Sequence, residues 1–106
     1  MAEEQVEAAY VARGCKVLDR RWRGKSGEID LILADDDGVV FVEVKQASTV
    51  EAAAERLQPR QVKRILAAAE EYVARLPTGL ATNMRLDLAL VDRSGRIELR
   101  EAALCA

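Results

Sequence analysis

Apolar side chains recur every three or four residues between positions 62 and 76, which is the period of one face of an α-helix. Pro59 suits the first turn of such a helix, because a backbone N–H at that position would have no partner within the helix. The segment 77–79, Pro-Thr-Gly, ends it. The pattern predicts a long amphipathic helix, and its buried stripe comprises Val62, Ile65, Leu66, Ala69, Tyr72, Val73 and Leu76.

A shorter stripe predicts a first helix over residues 2–13. Val6, Ala9 and Tyr10 share one face of it, and Gly14 stands where a left-handed residue caps a helix. Residues 50–57 are rich in alanine and glutamate, and their pattern leaves a short helix and an ordered loop both open. The segment between these helices has a different period.

Between residues 28 and 45 the period falls to two, which predicts β-strands. Segment 28–33 alternates strictly, so that its two faces are Ile29, Leu31 and Leu33 against Glu28, Asp30 and Ile32. Segment 39–45 is a β-branched run typical of a buried strand, and the turn residues 35–38 predict a hairpin between the two. Before them, we expect a short strand over residues 16–18 and a loop over the basic segment 20–26.

Two further strands, over 84–91 and 97–100, follow the long helix. The element order is therefore α-β-β-β-α-β-β, which predicts an α/β fold with a mixed sheet. At 106 residues, half of them apolar, the chain can build one hydrophobic core, and we expect a single domain spanning 1–106.

The formal net charge of −2 argues against indiscriminate binding to polyanions, but the charges are segregated. Acids concentrate near residues 3–7, 28–30, 35–37 and 43. Two stretches of the chain are basic instead, with members Arg13, Lys16, Arg20, Arg21, Arg23 and Lys25 in the first and Arg56, Arg60, Lys63 and Arg64 in the second. This distribution suits a polyanionic substrate that approaches a cation-binding site.

The cysteines, Cys15 and Cys105, lack the spacing of a zinc site and are too few for a secreted disulfide framework, so we expect free thiols. The first residues carry acid where a signal peptide would carry base, and no apolar run approaches the roughly 20 residues that span a bilayer. These features predict a cytoplasmic protein with no membrane partner.

The two central strands contain charged residues, although strands buried in a hydrophobic core usually carry apolar side chains. Glu28 and Asp30 share one face of their strand, and Glu43 and Lys45 share one face of the next. A single charge of this kind usually just faces water. Several carboxylates brought together near a core instead cost several kcal/mol unless a cation lies between them. Oxygen ligands without histidine favour Mg²⁺ or Mn²⁺ over zinc.

These residues resemble a known signature. Ile29-Asp30, twelve intervening residues, and then Glu43-Val44-Lys45 resemble the P-D, spacer, E-x-K pattern of the PD-(D/E)XK nucleases, with Ile in place of Pro. The segments 27–32 and 40–45 are more narrowly similar to the UPF0102, or YraN-like, family, and the similarity extends through residues 21–23 and 85–87. The resemblance implies a restriction-endonuclease-like mixed β-sheet flanked by helices.

The resemblance also implies roles for individual residues. Asp30 and Glu43 would bind the metal directly, with the Val44 carbonyl nearby and Glu28 as a further ligand or as the holder of a metal-bound water. Lys45 would orient or deprotonate the attacking water, or stabilise charge on the phosphorane. The family's first helix carries a Glu near the site, which Glu3 matches, and Glu7 could reach inward from the same helix as well.

The flanking residues remain open between two readings. Arg20, Arg21, Arg23 and Lys25, like Arg60, Lys63 and Arg64, either bind nucleic-acid phosphates or form ordinary solvated faces. Gln46-Ala47 and Gln61 stand where relatives place Thr-Arg and Lys, so we expect them beside the phosphate backbone. Trp22 is expected at the edge of the core rather than stacked on a base, and Arg85 and Asp87 are expected to pair for structural reasons.

The leading hypothesis is a metal-dependent endonuclease for structured or branched DNA. A domain of this size offers little surface for reading bases, so specificity would be for shape, and a homodimer would help to hold two strands. The alternatives are a nucleic-acid or protein binding module with a vestigial site, and a phosphohydrolase with another substrate.

Overall fold

A computed structural model describes residues 2–104 of the chain. Its elements in chain order are α1 (Ala2–Ala12), β1 (Lys16–Arg23), β2 (Glu28–Ala34), β3 (Val39–Gln46), α2 (Val50–Glu55), α3 (Pro59–Ala74), a 3₁₀ turn (Gly79–Ala81), β4 (Met84–Val91) and β5 (Ile97–Arg100). The predicted order α-β-β-β-α-β-β is confirmed, with α2 added between β3 and the long helix. No helix within residues 2–104 is long and apolar enough to cross a membrane.

The five strands form one mixed sheet in the order β1-β2-β3-β4-β5. Neighbours are antiparallel except β3 and β4, which are parallel and pair along their whole length from Val39↔Met84 to Gln46↔Val91. The crossover between them contains α2 and α3, as a parallel connection requires. Gly38 opens β3 so close to Asn83 that a Cβ there would lie 2.2 Å from the Asn83 carbonyl oxygen, which only glycine avoids.

Helices cover both faces of the sheet, and each face has its own apolar core. On one face α1 packs its buried Val6 and Tyr10 over the centre of the sheet. On the other face α2 and α3 cover the strands, and Phe41 lies under the α3 stripe. The predicted stripe of α3 is confirmed as core, with Ile65, Ala69, Tyr72 and Val73 buried and its remaining members partly buried.

Local signals place the helix ends. The N–H of Gly14 bonds to the Val11 carbonyl and the N–H of Cys15 to the Tyr10 carbonyl, which is the Schellman arrangement, and Gly14 has φ +96°. The open choice over residues 50–57 is settled as a helix over Val50–Glu55, followed by a turn. The Thr49 hydroxyl caps this helix by accepting a hydrogen bond from the Ala52 N–H at 3.0 Å.

Two expectations about the first strands were wrong. Residues 20–23 are not a loop but belong to β1, because the strand pairs with β2 as far as Arg23↔Glu28. The strict alternation of β2 also fails: Ile29 joins Ile32 on the α3 face, while Leu31 and Leu33 lie on the α1 face. The period is interrupted at Asp30, where pairing with β3 ends.

Candidate active site

The candidate site lies where β2 and β3 part. Their backbone pairing runs from Ala34↔Val39 to Leu31↔Val42 and goes no further. Beyond it the Asp30 side chain takes the place of a strand partner, and its Oδ2 accepts the Val44 N–H at 2.8 Å. Because the N–H and C=O of one strand residue point to the same side, the Val44 carbonyl faces the same gap. A carboxylate and a backbone carbonyl thus meet at the opening of the sheet.

Glu43 lies on the adjoining strand and is 5% exposed, although it is an acid. Its Oε2 accepts a hydrogen bond from Gln61 Nε2 of α3 at 2.7 Å, and Lys45 Nζ lies 3.4 Å from the same oxygen. Glu43 and Lys45 stand two residues apart, so they share the α3 face of β3 as predicted. The arrangement sets an amine and an amide beside one buried carboxyl group.

The carboxyl groups of Asp30 and Glu43 are close enough that each perturbs the pKa of the other. Burial, followed by the Asp30 charge, raises the pKa of Glu43 to about 8, against the partial opposition of Lys45. Burial also raises the pKa of Asp30, although the Val44 N–H opposes this. Two acids that share such a site cannot both ionise cheaply, so the pair favours binding either a proton or a cation.

Glu3 faces Asp30 from α1. It lines a cleft of about 490 Å³ together with Asp30 and Arg21, and its charge contributes to the raised pKa of Asp30. The Glu3 carboxylate is held by Arg21 at 3.1 Å. Glu7, the other α1 acid that the sequence left open, lines the same cleft and bonds to Arg20 at 2.6 Å. Of the two, Glu3 is the acid whose charge is found to act on Asp30.

Glu28 is not brought into this cluster. Its carboxylate pairs with Arg23 at 3.0 Å and its side chain is 39% exposed. Within residues 2–104 no three acidic, cysteine or histidine side chains are grouped closely enough to hold a metal ion as they stand. The residues that do meet are Asp30, Glu43 and Lys45, with Glu3 across the cleft; the part assigned to Glu28 stays a prediction.

Gln61 was expected at the phosphate backbone, whereas its amide contacts Glu43. The helical period carried the signal: Gln61 precedes the buried Ile65 by one turn and so belongs to the inner face of α3. Trp22 is half-buried at the edge of the core, with its ring 5.2 Å from that of Tyr72 in an edge-to-face contact and with the Arg75 guanidinium 5.2 Å from its centroid. This agrees with the expected position.

The expected pairing of Arg85 with Asp87 is present, with Arg85 Nε 3.1 Å from Asp87 Oδ1. Asp87 is completely buried and also accepts from the Tyr10 hydroxyl at 2.7 Å and the Ala102 N–H at 2.9 Å. Cys15 is a half-buried free thiol, while Cys105 lies outside the described residues. Neither Asp87 nor Cys15 contacts the candidate site through any bond found within residues 2–104.

The donor set of the site fits a hard divalent cation. Asp30, Glu43 and the Val44 carbonyl supply oxygen atoms, the type of ligand that Mg²⁺ and Mn²⁺ prefer. The raised pKa values of Asp30 and Glu43 mark a position where positive charge is lacking. A cation bound between Asp30 and Glu43 would supply that charge and allow both groups to ionise.

Comparison with solved structures identifies a protein with a similar fold. The chain superposes on a repair endonuclease from Pyrococcus abyssi with a TM-score of 0.53 and 18% identity, covering 87% of this chain and 38% of that one. At this identity the likeness concerns the fold alone. The mixed five-stranded sheet flanked by helices is therefore a restriction-endonuclease-like fold.

Sequence comparison is more specific. A UPF0102 protein of Ruegeria pomeroyi is 53% identical over 102 residues, which is 96% of this chain and 83% of that protein. A UPF0102 protein of Cereibacter sphaeroides strain KD131 is 50% identical over 105 residues, covering 99% and 90%. The model of "Uncharacterised protein family UPF0102" matches residues 2–91, and the chain thus belongs to the UPF0102 family.

Proposed function

We propose that the chain is a metal-dependent nuclease that hydrolyses phosphodiester bonds in structured or branched DNA. The observation that carries the proposal is the pair of buried, adjacent carboxyl groups, Asp30 and Glu43, with Lys45 beside them where the sheet opens. Perturbed acids clustered at a cleft are typical of catalytic sites. The fold shared with a repair endonuclease agrees with this chemistry.

Each residue has a separate task in the proposed reaction. A bound Mg²⁺ or Mn²⁺ would lower the pKa of water and neutralise charge on the scissile phosphate. Asp30 and Glu43 would hold the ion, and the Val44 N–H fixes the direction of the Asp30 carboxylate. The Lys45 amine would orient the attacking water or stabilise the charge that develops on the phosphorane. Gln61 keeps the Glu43 carboxyl aimed at the gap through its 2.7 Å bond.

Cleavage assays test the proposal directly. Purified protein is incubated with branched, nicked and single-stranded DNA and with RNA, in Mg²⁺ or Mn²⁺. We expect cleavage of branched DNA that falls on the order of 10²–10³-fold in Asp30→Asn and in Glu43→Gln. Glu98→Gln, an acid on β5 that pairs with Arg100, is the matched control and should keep wild-type activity.

Three outcomes would contradict the proposal. Cleavage that persists unchanged in both site variants would come from a contaminant. Binding without cleavage, weakening as salt rises, would favour the binding module with a vestigial site. Hydrolysis of small phosphodiesters but not of nucleic acid would favour another phosphohydrolase.

Calorimetric titration with Mn²⁺ tests the site without any substrate. We expect saturable binding to the wild-type protein and to Glu98→Gln, and loss of that binding in Asp30→Asn. The predicted homodimer is a separate matter, measured by light scattering in the presence and absence of branched DNA.

A further inference from the structure

Six of the seven basic residues considered as phosphate contacts fall into two groups that differ in their partners, and the seventh, Lys25, is an exposed residue of the loop between β1 and β2. The first group is Arg20, Arg21 and Arg23 on β1. Each of these side chains bonds to an acid, and the distances are 2.6 Å to Glu7, 3.1 Å to Glu3 and 3.0 Å to Glu28, respectively. The three pairs cancel in charge, so β1 presents almost no net positive charge to a polyanion.

The second group is Arg60, Lys63 and Arg64, spaced so that the three side chains share one face of α3. All three residues are exposed, and within residues 2–104 none of them lies within 4.0 Å of a carboxylate oxygen. No acid occurs in the sequence between Arg56 and Ala69. The charge of this face is therefore uncompensated by the protein.

The exposed face of α3 adjoins the candidate active site. Arg60 and Arg64 line a shallow cleft of about 260 Å³ with Gln58 and Gln61, and Gln61 is the residue that bonds to Glu43. Arg64 also packs against the loop that leads into β2. A Cβ added to Gly27 in that loop would lie only 3.2 Å from the Cβ of Arg64. A phosphate chain lying on this face would pass beside the buried carboxyl groups.

We infer that this face of α3, formed by Arg60, Lys63 and Arg64, is the main docking surface for the phosphodiester backbone of a DNA strand. The inference rests on the proposed function, and it specifies the surface along which the substrate strand reaches the candidate active site. Free cations bind phosphates and release the counterions condensed on DNA, which provides most of the affinity. The β1 arginines must first give up a carboxylate partner, so their contribution is smaller.

A matched pair of triple variants tests the inference. One variant carries Arg60→Gln, Lys63→Gln and Arg64→Gln, and the other carries Arg20→Gln, Arg21→Gln and Arg23→Gln. Both are made in the Glu43→Gln background so that no strand is cut, and binding to fluorescein-labelled branched DNA is followed by anisotropy at several salt concentrations. Circular dichroism establishes that each variant is folded.

We expect the α3 variant to bind at least 10-fold more weakly at low salt and to lose about 2–3 from the slope of log K against log salt, near 0.9 for each phosphate contact removed. In the β1 variant, the slope of log K against log salt should fall by less than about 1. An equal or larger loss in the β1 variant overturns the inference, as does an unchanged slope in the α3 variant. If a triple variant does not fold, Lys63→Gln against Arg21→Gln gives the same comparison, with an expected loss of about 1 in the former only.

The outcome is separable from that of the cleavage assay. Absence of cleavage by the wild-type protein, together with an α3-dependent salt slope, would reject the nuclease and keep the docking surface. Cleavage together with an unaffected slope would reject the docking surface and keep the nuclease. Tighter binding to single-stranded RNA than to any DNA, measured in the same series, would overturn DNA as the occupant.

Discussion

Asp87 and Glu43 are two buried carboxyl groups that differ in how well the surrounding protein compensates their negative charge. Asp87 is fully buried and accepts hydrogen bonds from the Tyr10 hydroxyl, the Arg85 guanidinium and the Ala102 N–H. Glu43 is almost as buried, but it faces a second acid and has one amine and one amide for partners. The two carboxyl groups are thus about equally buried, but only Asp87 is surrounded by enough hydrogen-bond donors to compensate its charge.

The difference separates a structural acid from one suited to chemistry. Around Asp87 the protein supplies donors from three parts of the chain, so the carboxylate ties α1, β4 and the C-terminal segment together. Around Glu43 the protein leaves positive charge lacking, which raises the pKa of its carboxyl group to about 8. A site of that kind is stable with a proton or a cation and less stable with neither.

The largest effect is expected at Asp87. Asp87→Ala should lower the free energy of unfolding by about 3–5 kcal/mol, because it leaves Arg85 without its buried partner and orphans two further donors. Urea denaturation at pH 7 measures this, with Asp36→Ala, an exposed acid of the β2–β3 turn, for comparison. A loss below about 1 kcal/mol would mean that water replaces the carboxylate without penalty.

The pH dependence of stability should reveal Glu43. Its pKa is raised in the folded state above the ordinary 4.5, so the folded protein holds an extra proton between that value and about 8. The free energy of unfolding of the metal-free protein must then fall as pH rises through this window, by up to ~1.4 kcal/mol per pH unit and about 2–3 kcal/mol from pH 5.5 to 7.5.

Glu43→Gln, which mimics the protonated acid, should flatten that dependence and make the variant more stable than the wild type at pH 7.5. Chemical denaturation in EDTA at several pH values measures both proteins. An identical decline in the two would assign the titration to another group.

A smaller loss is expected at Tyr10. Tyr10→Phe keeps the packing of α1 on the sheet but removes one donor from Asp87, at a cost of about 1–2 kcal/mol. Thermal and urea unfolding measure it, and the pH dependence assigned to Glu43 should be unaltered. A change in that dependence would show that the two acids are coupled through the sheet.

The smallest effect is expected at Gln61. Gln61→Ala removes the amide that bonds to Glu43, which should cost about 0.5–1 kcal/mol and raise the pKa of the Glu43 carboxyl further, since that bond favours the ionised form. Carboxyl carbon shifts followed by NMR against pH measure the pKa. A lowered pKa would show that Gln61 chiefly shields the acid from water.

The fold was largely predictable because its elements have strong local signals. The stripe of α3, the Gly14 cap and the turn before Gly38 each depend on neighbouring residues alone, and all three are confirmed. The first strand was not predictable in this way. Residues 20–23 read as a basic loop because their pairing with β2 is a contact between separate segments, and tertiary pairing overrides composition.

The site was predictable in part for the same reason. The spacing of Asp30, Glu43 and Lys45 follows from strand alternation and from the hairpin, and these residues do meet. The position of Glu28 could not follow from alternation, because β2 loses its period at Asp30 and Arg23 on the neighbouring strand captures the Glu28 carboxylate. Gln61 comes from a helix 18 residues away, beyond the reach of strand patterns.

Because the Val44 amide donates a hydrogen bond to Asp30, its NMR signal should report whether a metal ion is bound at the site. An ion bound by the Asp30 carboxylate changes the charge on the oxygen that accepts this bond, so the nitrogen and proton resonances of Val44 should shift in step with metal loading. Amides deep in the β3–β4 ladder have strand carbonyls as partners, so their resonances should shift much less. Occupancy of the centre can thus be followed on an untagged, natural chain.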